Sequence, residues 1–358
     1  VTDQRGNAAS ARGEMTVKQP ILVTGGAGYI GSHAVLALRD AGWPVAVIDN
    51  LVTGFRFAVP EGVPFYEGDI GDEALLARIF AEQGMGRVGD TGEARGAIMH
   101  FAGSVVVPES VENPLKYYRN NTATSRSLIE AAVTAGVPHF IFSSTAATYG
   151  IPESSPVTED SPRSPINPYG MSKLMTETML ADVARAHPLN YCALRYFNVA
   201  GADPKGRTGQ STAGATHLIK VAVEAALGKR GHVGVFGTDF ATPDGTGVRD
   251  YIHVSDLADA HVLALEALIE QPRRSLTMNC GYGRGFSVLE VLDAVDRITN
   301  QRIERRMEGR RAGDPDALIS DNSRIKATLP WVPRYADLPT IVEHALAWER
   351  KLDDIRAR

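Results

Sequence analysis

Cysteine is almost missing from this chain: among 358 residues there are two, Cys192 and Cys280, each inside an apolar, strand-like run. Two such thiols make no disulfide framework and predict buried free cysteines in a reducing, cytoplasmic setting. An excess of positive charge is missing too. The 37 Lys and Arg residues stand against 42 Asp and Glu, a formal net charge of -5 with a pI near 6.0. That balance gives no electrostatic footprint for nucleic acid or an anionic membrane. No apolar run approaches the ~20 residues of a membrane span. The 9 histidines are scattered, with no Cys/His cluster, so no metal site is expected. Neither a G-x-S-x-G elbow nor a Walker A loop is found. Val1 to Gln19 is polar and lacks the apolar centre of a secretion signal. It is expected to be a disordered tail, with Met15 as the natural start.

What is present begins at Ile21-Leu22-Val23-Thr24, an apolar run that reads as a buried strand. Gly25, Gly28 and Gly31 follow with G-x-x-G-x-x-G spacing, and a helical pattern runs through Val35, Leu36 and Leu38 to Gly42. Glycine lets a backbone turn tightly and approach a pyrophosphate, which then rests on the helix N-terminus. A second strand, Val45 to Ile48, ends in Asp49, 18 residues after Gly31, where an acid takes a ribose hydroxyl. A carboxylate there repels a 2′-phosphate, so NAD is favoured over NADP.

The alternation continues. Pro64-Phe65-Tyr66 is a strand leading to Gly68-Asp69-Ile70, and Asp72 caps a helix through Phe80. Gln83 to Gly96 holds five glycines and scattered charge and reads as an exposed loop. Ala97 to His100 is a strand, about Pro114 to Ala135 a helix, His139 to Phe142 a strand closed by Ser143-Ser144-Thr145, and Tyr191 to Arg195 a sixth strand. Strands alternating with helices mean a doubly wound, Rossmann-type α/β parallel sheet, whose ligands sit beyond the carboxyl ends of the strands. After Phe197 the pattern becomes mixed. The expected division is a tail over 1–19, an NAD-binding domain over 20–196, and a smaller mixed α/β C-terminal lobe over 197–358, mainly for substrate, with some crossing of segments.

The stretch Asn167-Pro168-Tyr169-Gly170-Met171-Ser172-Lys173 carries the chemistry. Asn167 suits a helix cap and Pro168 the first turn. Tyr169 and Lys173, four residues apart, share one helix face. A free phenol, with a pKa of about 10, is a poor base at neutral pH. A neighbouring ammonium, joined by a cationic ring in a dry site, favours the phenolate. Y-x-x-x-K alone is a weak pattern; its place in this alternation gives it weight. Thr145, closing a strand before that helix, is placed to hydrogen-bond the group Tyr169 deprotonates. Ser143 and Ser144 read as hydroxyls capping backbone groups. Arg249, Arg311 and Asp314 lie in later loops, where guanidinium groups grip phosphates or stand solvated on the surface.

With these motifs in hand, the chain resembles the extended short-chain dehydrogenase/reductases and, within them, the UDP-glucose (UDP-galactose) 4-epimerases. The likeness runs from Pro20 to about Trp348. It is carried by TGGAGYIGSH (Thr24 to His33), DNL (Asp49 to Leu51), GDI (Gly68 to Ile70), HFAG (His100 to Gly103), PYGMSK (Pro168 to Lys173), LRYFNVAGADP (Leu194 to Pro204), DGTGVRDYIHVSDLADAH (Asp244 to His261) and RRAGDP (Arg310 to Pro315). The first and fifth belong to the whole superfamily; the Asp244 stretch is the most specific. The resemblance implies Tyr169 as base, Lys173 as ribose holder and Tyr169 activator, and Thr145 as their helper. It implies NAD contacts at Gly25, Gly28, Tyr29, Ile30, Gly31, Asp49, Asn50, Asp69, Ile70, Phe101, Ala102, Gly103, Asn120, Tyr169, Lys173 and Phe197. The UDP-sugar contacts it implies are Thr145, Asn198, His217, Phe236, Arg249, Tyr251, Arg311 and Asp314. It also carries the expectation of a homodimer.

Two positions depart from the family pattern. Val105 stands where relatives often carry a cofactor-contacting lysine, and His217-Leu218 replaces an Asn-Leu segment. The implied reaction inverts C4 of a UDP-sugar through a 4-keto intermediate with NAD regenerated each cycle. A dehydratase needs an acid pair just after Thr145, where this chain has Ala146-Ala147. Epimerases of other UDP-sugars (N-acetylated, pentose or uronate) and a catalytically silent NAD-sensing module are the remaining alternatives. Leu318, seven residues after Arg311, is implied to line the pocket beside the sugar C2 substituent; as part of the apolar run Ala317-Leu318-Ile319 it also reads as a core strand residue.

Overall fold

Short apolar runs closed by glycine or aspartate form the strands, and amphipathic stretches between them form the helices. The computed structural model describes residues 18–88, 92–311 and 313–356. The expected tail up to residue 17, with Met15, lies outside the described residues. Gln19 is already held, accepting a hydrogen bond from the Gly96 amide at 2.7 Å.

The first half runs β1 (Ile21–Thr24), α1 (Tyr29–Asp40), β2 (Val45–Asp49), β3 (Phe65–Glu67), α2 (Glu73–Glu82), β4 (Gly86–Val88), β5 (Glu93–Arg95), β6 (Ala97–His100), α3 (Val107–Glu112), α4 (Pro114–Tyr117), α5 (Thr124–Ala135), β7 (His139–Thr145), α6 (Pro168–Ala186) and β8 (Asn190–Tyr196). The second half runs β9 (Asn198–Ala200), α7 (Leu218–Ala226), β10 (Val233–Phe236), β11 (Val248–His253), α8 (Val254–Glu270), β12 (Leu276–Cys280), β13 (Gly285–Ser287), α9 (Val288–Thr299), β14 (Arg305–Glu308), β15 (Ala317–Leu318), α10 (Ser323–Thr328) and α11 (Leu338–Arg356).

Seven parallel strands stand in the order β3-β2-β1-β6-β7-β8-β12. Every residue of β1, β2, β6 and β7 is buried, as expected for strands covered on both faces. Val35 and Leu38 of α1 and Leu257 and Leu265 of α8 cover one face; Leu76 of α2, Leu128 of α5 and Leu180 of α6 cover the other. The chain winds one way from β1 to β3 and the other way from β6 onward, which opens a crevice at the carboxyl ends of β1 and β6.

The second lobe is a parallel pair, β10 with β14, and a small sheet in which β9, β13 and β15 all pair with β11. Helices α7, α9 and α11 share its core. Residues 254–280 return to the large sheet, with α8 against α1 and β12 beside β8. Cys192 and Cys280 are buried and free. No helix among the described residues is long and apolar enough to cross a membrane.

Two stretches differ from their sequence reading. Gln83 to Gly96 is not simply an exposed loop: β4 and β5 pair antiparallel there, and Met85 is buried. Three-residue strands are too short for a period to show. The helix from Pro114 to Ala135 holds a π-helical turn at Tyr118–Ala123. Such a turn shifts the side chains that follow and recurs at functional sites; this one carries Asn120 and Asn121.

Candidate active site

At the crevice, the loop after β1 passes close to the end of β6. A Cβ on Gly25 (φ +69) would lie 2.6 Å from the Ala102 amide, and one on Gly31 would lie 2.1 Å from the Gly25 carbonyl. Gly28 caps α1 in an extended conformation without a side-chain hydrogen bond, and no acid stands in the first turn. The first amides of the helix are therefore open to an anion. Asp49 closes β2 and accepts from the Ala27 amide at 3.0 Å and the Leu51 amide at 2.8 Å. Burial raises its pKa, and those two hydrogen bonds oppose the rise. Asp69 accepts from the Gly71 amide at 2.7 Å, Ile70 is buried, and Asn50 is exposed. Phe101, Ala102 and Gly103 follow β6, and Asn120 donates to the Ser104 hydroxyl at 3.2 Å. Tyr29 turns its hydroxyl onto the Gly201 carbonyl at 2.7 Å, joining α1 to the loop after β9. Ile30 is half-buried beside it, and Val105 is exposed. The glycine cradle, the open helix N-terminus and the carboxylate at the end of β2 together fit a dinucleotide.

The Tyr169, Lys173 and Thr145 group sits two strands away. Asn167 caps α6, accepting from the Gly170 amide at 2.8 Å, and Pro168 occupies its first turn. That cap sets where the helix begins and so which face Tyr169 and Lys173 present. Tyr169, Thr145 and Lys173 are 8%, 7% and 3% exposed. Thr145 stands beside Tyr169, close enough to pull the phenol's pKa down. Lys173 donates to the Ser143 carbonyl at 3.1 Å, and its ammonium lies 5.0 Å from the centre of the Phe142 ring. One carbonyl leaves the remaining N–H groups of a buried ammonium for a ligand's hydroxyls.

Burial lowers the Lys173 pKa to about 8. Burial also raises that of Tyr169, with Thr145 pulling the other way. For Tyr169 the desolvation outweighs the pull of Thr145, so the fold alone raises the phenol's pKa. Ser143 and Ser144 do not serve as plain strand-end caps: Ser143 pairs with the Tyr196 hydroxyl at 2.7 Å, and Ser144 donates to Glu177.

The second lobe brings a separate set together. Phe197 and Asn198 lie where β8 passes into β9, and Asn198 is in register with Tyr251 of β11. Two residues back along β11, Arg249 is in register with Leu318. Arg249 lies 3.8 Å from Asp314, and the Arg311 guanidinium stacks 3.6 Å from the centre of the Phe236 ring. Burial lowers the pKa of Arg249, opposed by Asp314. Leu318 packs on Ala146, Tyr149, Val157 and Phe197, so the wall beside Thr145 and the Arg249 side meet at that residue. His217 stands elsewhere in its contacts: it bonds Gln210 at 2.8 Å and lines a small cavity with Lys220, Trp348 and Glu349. Burial keeps its imidazole neutral.

Sequence reasoning did not single out Tyr117, Glu177, Arg195 or Tyr196. The Tyr117 ring stands edge-on to Tyr169 at 6.5 Å. Glu177 was the one with a signal: it falls four residues after Lys173 on the same stripe of α6.

A family model described as the NAD dependent epimerase/dehydratase family matches residues 21–281. A curated UDP-glucose 4-epimerase of Azospirillum brasilense is 55% identical over 99% of this chain and 95% of its own length. The crystal structure of a UDP-glucose 4-epimerase from Brucella ovis in complex with NAD superposes with a TM-score of 0.86 at 44% identity, covering 92% of this chain and 98% of that one. A UDP-glucose 4-epimerase from Bifidobacterium longum, in complex with NAD+ and UDP, gives a TM-score of 0.85 at 37% identity over 93% of this chain and 98% of its own.

Proposed function

The chain belongs to the NAD dependent epimerase/dehydratase family, and from that membership we propose that it is an NAD-dependent UDP-glucose 4-epimerase that interconverts UDP-galactose and UDP-glucose. The observation that carries the reading is Thr145, Tyr169 and Lys173 buried together at the carboxyl edge of the sheet, with Ala146 and Ala147 where an elimination would need acids. The chemistry NAD supplies when bound is reversible oxidation at the sugar C4.

The chain's own residues do the rest. The fingerprint loop and the α1 N-terminus hold the pyrophosphate, and Asp49 takes the adenosine ribose. Lys173 holds the other ribose. Tyr169, as phenolate, takes the proton of the sugar 4-hydroxyl, and Thr145 keeps that hydroxyl in reach. Burial raises the phenol's pKa; the Lys173 ammonium, with the cationic ring that NAD would supply, would favour the Tyr169 phenolate. Asn198, Phe236, Arg249, Tyr251, Arg311 and Asp314 grip UDP while the 4-keto sugar, held loosely, turns its other face to the same wall. Tyr169 then returns the proton to the inverted centre. Leu318, smaller than tyrosine and unable to hydrogen-bond an acetamide, favours UDP-glucose and UDP-galactose over N-acetylated sugars. The exposed apolar residues Val107, Val111 and Leu115 of α3 and α4, with Met175 of α6, support a homodimer. Free buried thiols support a cytoplasmic location.

The test is incubation with UDP-galactose, with and without added NAD. UDP-glucose forms without accumulation of NADH. Stoichiometric NADH release would place the chain among dehydrogenases instead.

A further inference from the structure

Behind the proton-transfer wall lies a buried ion pair that the reaction does not use. Arg195 of β8 is 2% exposed and Glu177 of α6 is 4% exposed. They meet as a two-pronged fork, Nη2 to Oε2 at 2.6 Å and Nε to Oε1 at 2.9 Å. Glu177 also accepts from the Ser144 hydroxyl. The third guanidinium nitrogen donates to the Tyr149 hydroxyl at 3.0 Å and the Glu159 carbonyl at 3.3 Å. Tyr149 donates to Asn279 of β12 at 2.6 Å, and the Asn279 amide donates to the Val157 carbonyl at 2.9 Å.

Stability is a weak reason for such a pair, since apolar residues of the same volume often serve as well or better. A fork does supply direction, because two parallel hydrogen bonds fix distance and rotation together. Tyr169, Lys173 and Glu177 follow one another at four-residue intervals along a single stripe of α6. Each meets a different residue of the β7 end: Tyr169 meets Thr145, Lys173 the Ser143 carbonyl and Glu177 the Ser144 hydroxyl. Arg195 is itself in register with Ser144. On its far side the network ends at Tyr149 and Val157, which pack with Leu318.

We infer that Arg195 and Glu177 are positioning residues: their fork sets the rotation and height of α6 against β7 and β8, and so holds Tyr169 on Thr145 and ties that placement to the wall at Leu318. Its kinetic readout rests on the epimerase reading; its spectroscopic readout does not.

The double variant Arg195→Met/Glu177→Leu removes both charges at similar volume. In NAD-loaded protein, the Tyr169 phenol is titrated by its phenolate absorbance, with the Tyr169→Phe trace subtracted. The titration moves up by about one pH unit, a tenfold change in proton affinity. With UDP-galactose, kcat falls about 30-fold, as a slightly misplaced base requires, while KM, NAD affinity and the melting temperature of the unloaded protein stay near the parent's. An unmoved titration together with an unchanged kcat overturns the inference and leaves the pair as packing. If the double variant does not fold, Glu177→Gln, which keeps the shape and removes the charge, is read by the same two measurements against the same outcomes. If the parent does not epimerise UDP-galactose, the functional reading fails and the Tyr169 titration still decides the fork.

Discussion

On the large-sheet side of the cleft, Tyr169, Thr145 and Lys173 are almost fully buried, with Lys173 tied to the Ser143 carbonyl and Thr145 to the Ala147 amide at the β7 end. On the second-lobe side, Asp314 is 39% exposed, its contact with Arg249 is a loose 3.8 Å, and Arg311 is held by a ring stack. Under the proposed function the two sides face different demands. Proton transfer needs groups fixed in advance in a dry place, where a small misplacement is expensive. A nucleotide grip must open to water between turnovers, and its charges form their strong hydrogen bonds only when phosphate arrives. Changes on the first side should therefore appear in kcat, and changes on the second in KM.

The largest effect that tests this division is at Tyr169. Tyr169→Phe should lower kcat by about 10²–10⁴-fold while KM and NAD binding stay near the parent's, measured by steady-state kinetics and NAD titration. A kcat unchanged by the substitution removes the base from this side altogether.

Lys173 gives the next. Its pKa is lowered to about 8 in the fold from an ordinary 10.5. Between those values the unfolded chain binds a proton that the folded chain has released, so stability of the ligand-free protein rises as pH climbs from about 8 to about 10.5. Below pH 8 the buried charge costs on the order of 3 kcal/mol. Lys173→Met should raise the melting temperature of ligand-free protein at pH 7, with the gain fading by about pH 10, while NAD affinity and turnover both fall. A melting temperature lowered at pH 7 would mean that the catalytic side is not holding a destabilising charge.

Arg249→Ala sharpens the other side. A charge-assisted phosphate contact contributes about 1.5–3 kcal/mol, so KM for UDP-galactose should rise about 10- to 150-fold with NAD affinity unaltered. A fall in kcat at constant KM would erase the contrast between the two sides.

Leu318 joins both sides, and its effect is the smallest. Leu318→Ser should raise, and Leu318→Tyr lower, the kcat/KM for UDP-N-acetylgalactosamine relative to UDP-galactose, each by about tenfold, the scale of a methylene-sized change in a pocket. A ratio constant across the three proteins moves the sugar gate elsewhere.

Much of the catalytic side could be read along the chain because it is local. The glycine spacing, Asp49 at the end of the next strand, and Tyr169 four residues before Lys173 are all short-range patterns tied to helix or strand geometry. The β4–β5 hairpin escaped because two three-residue strands rich in glycine and charge show no period. The return of α8 and β12 to the large sheet has no local marker at all: β12 reads as a strand, but its partner β8 lies about 80 residues earlier in the register pair Met278 and Leu194. The hydroxyls of Ser143 and Ser144 were misjudged for the same reason, since their partners, Tyr196 and Glu177, are 53 and 33 residues away.

By itself the sequence determined the order of strand, glycine loop and helix, the stripe carrying Tyr169 and Lys173, and the identity of the groups available for chemistry. Only the tertiary structure decided that burial raises the Tyr169 pKa above its ordinary value, that Arg249 and Leu318 stand side by side, and that Glu177 reaches Arg195. Each of these depends on burial or on contact between distant elements. Burial sets the desolvation that moves a pKa, and the packing of whole helices on strands sets which distant side chains meet.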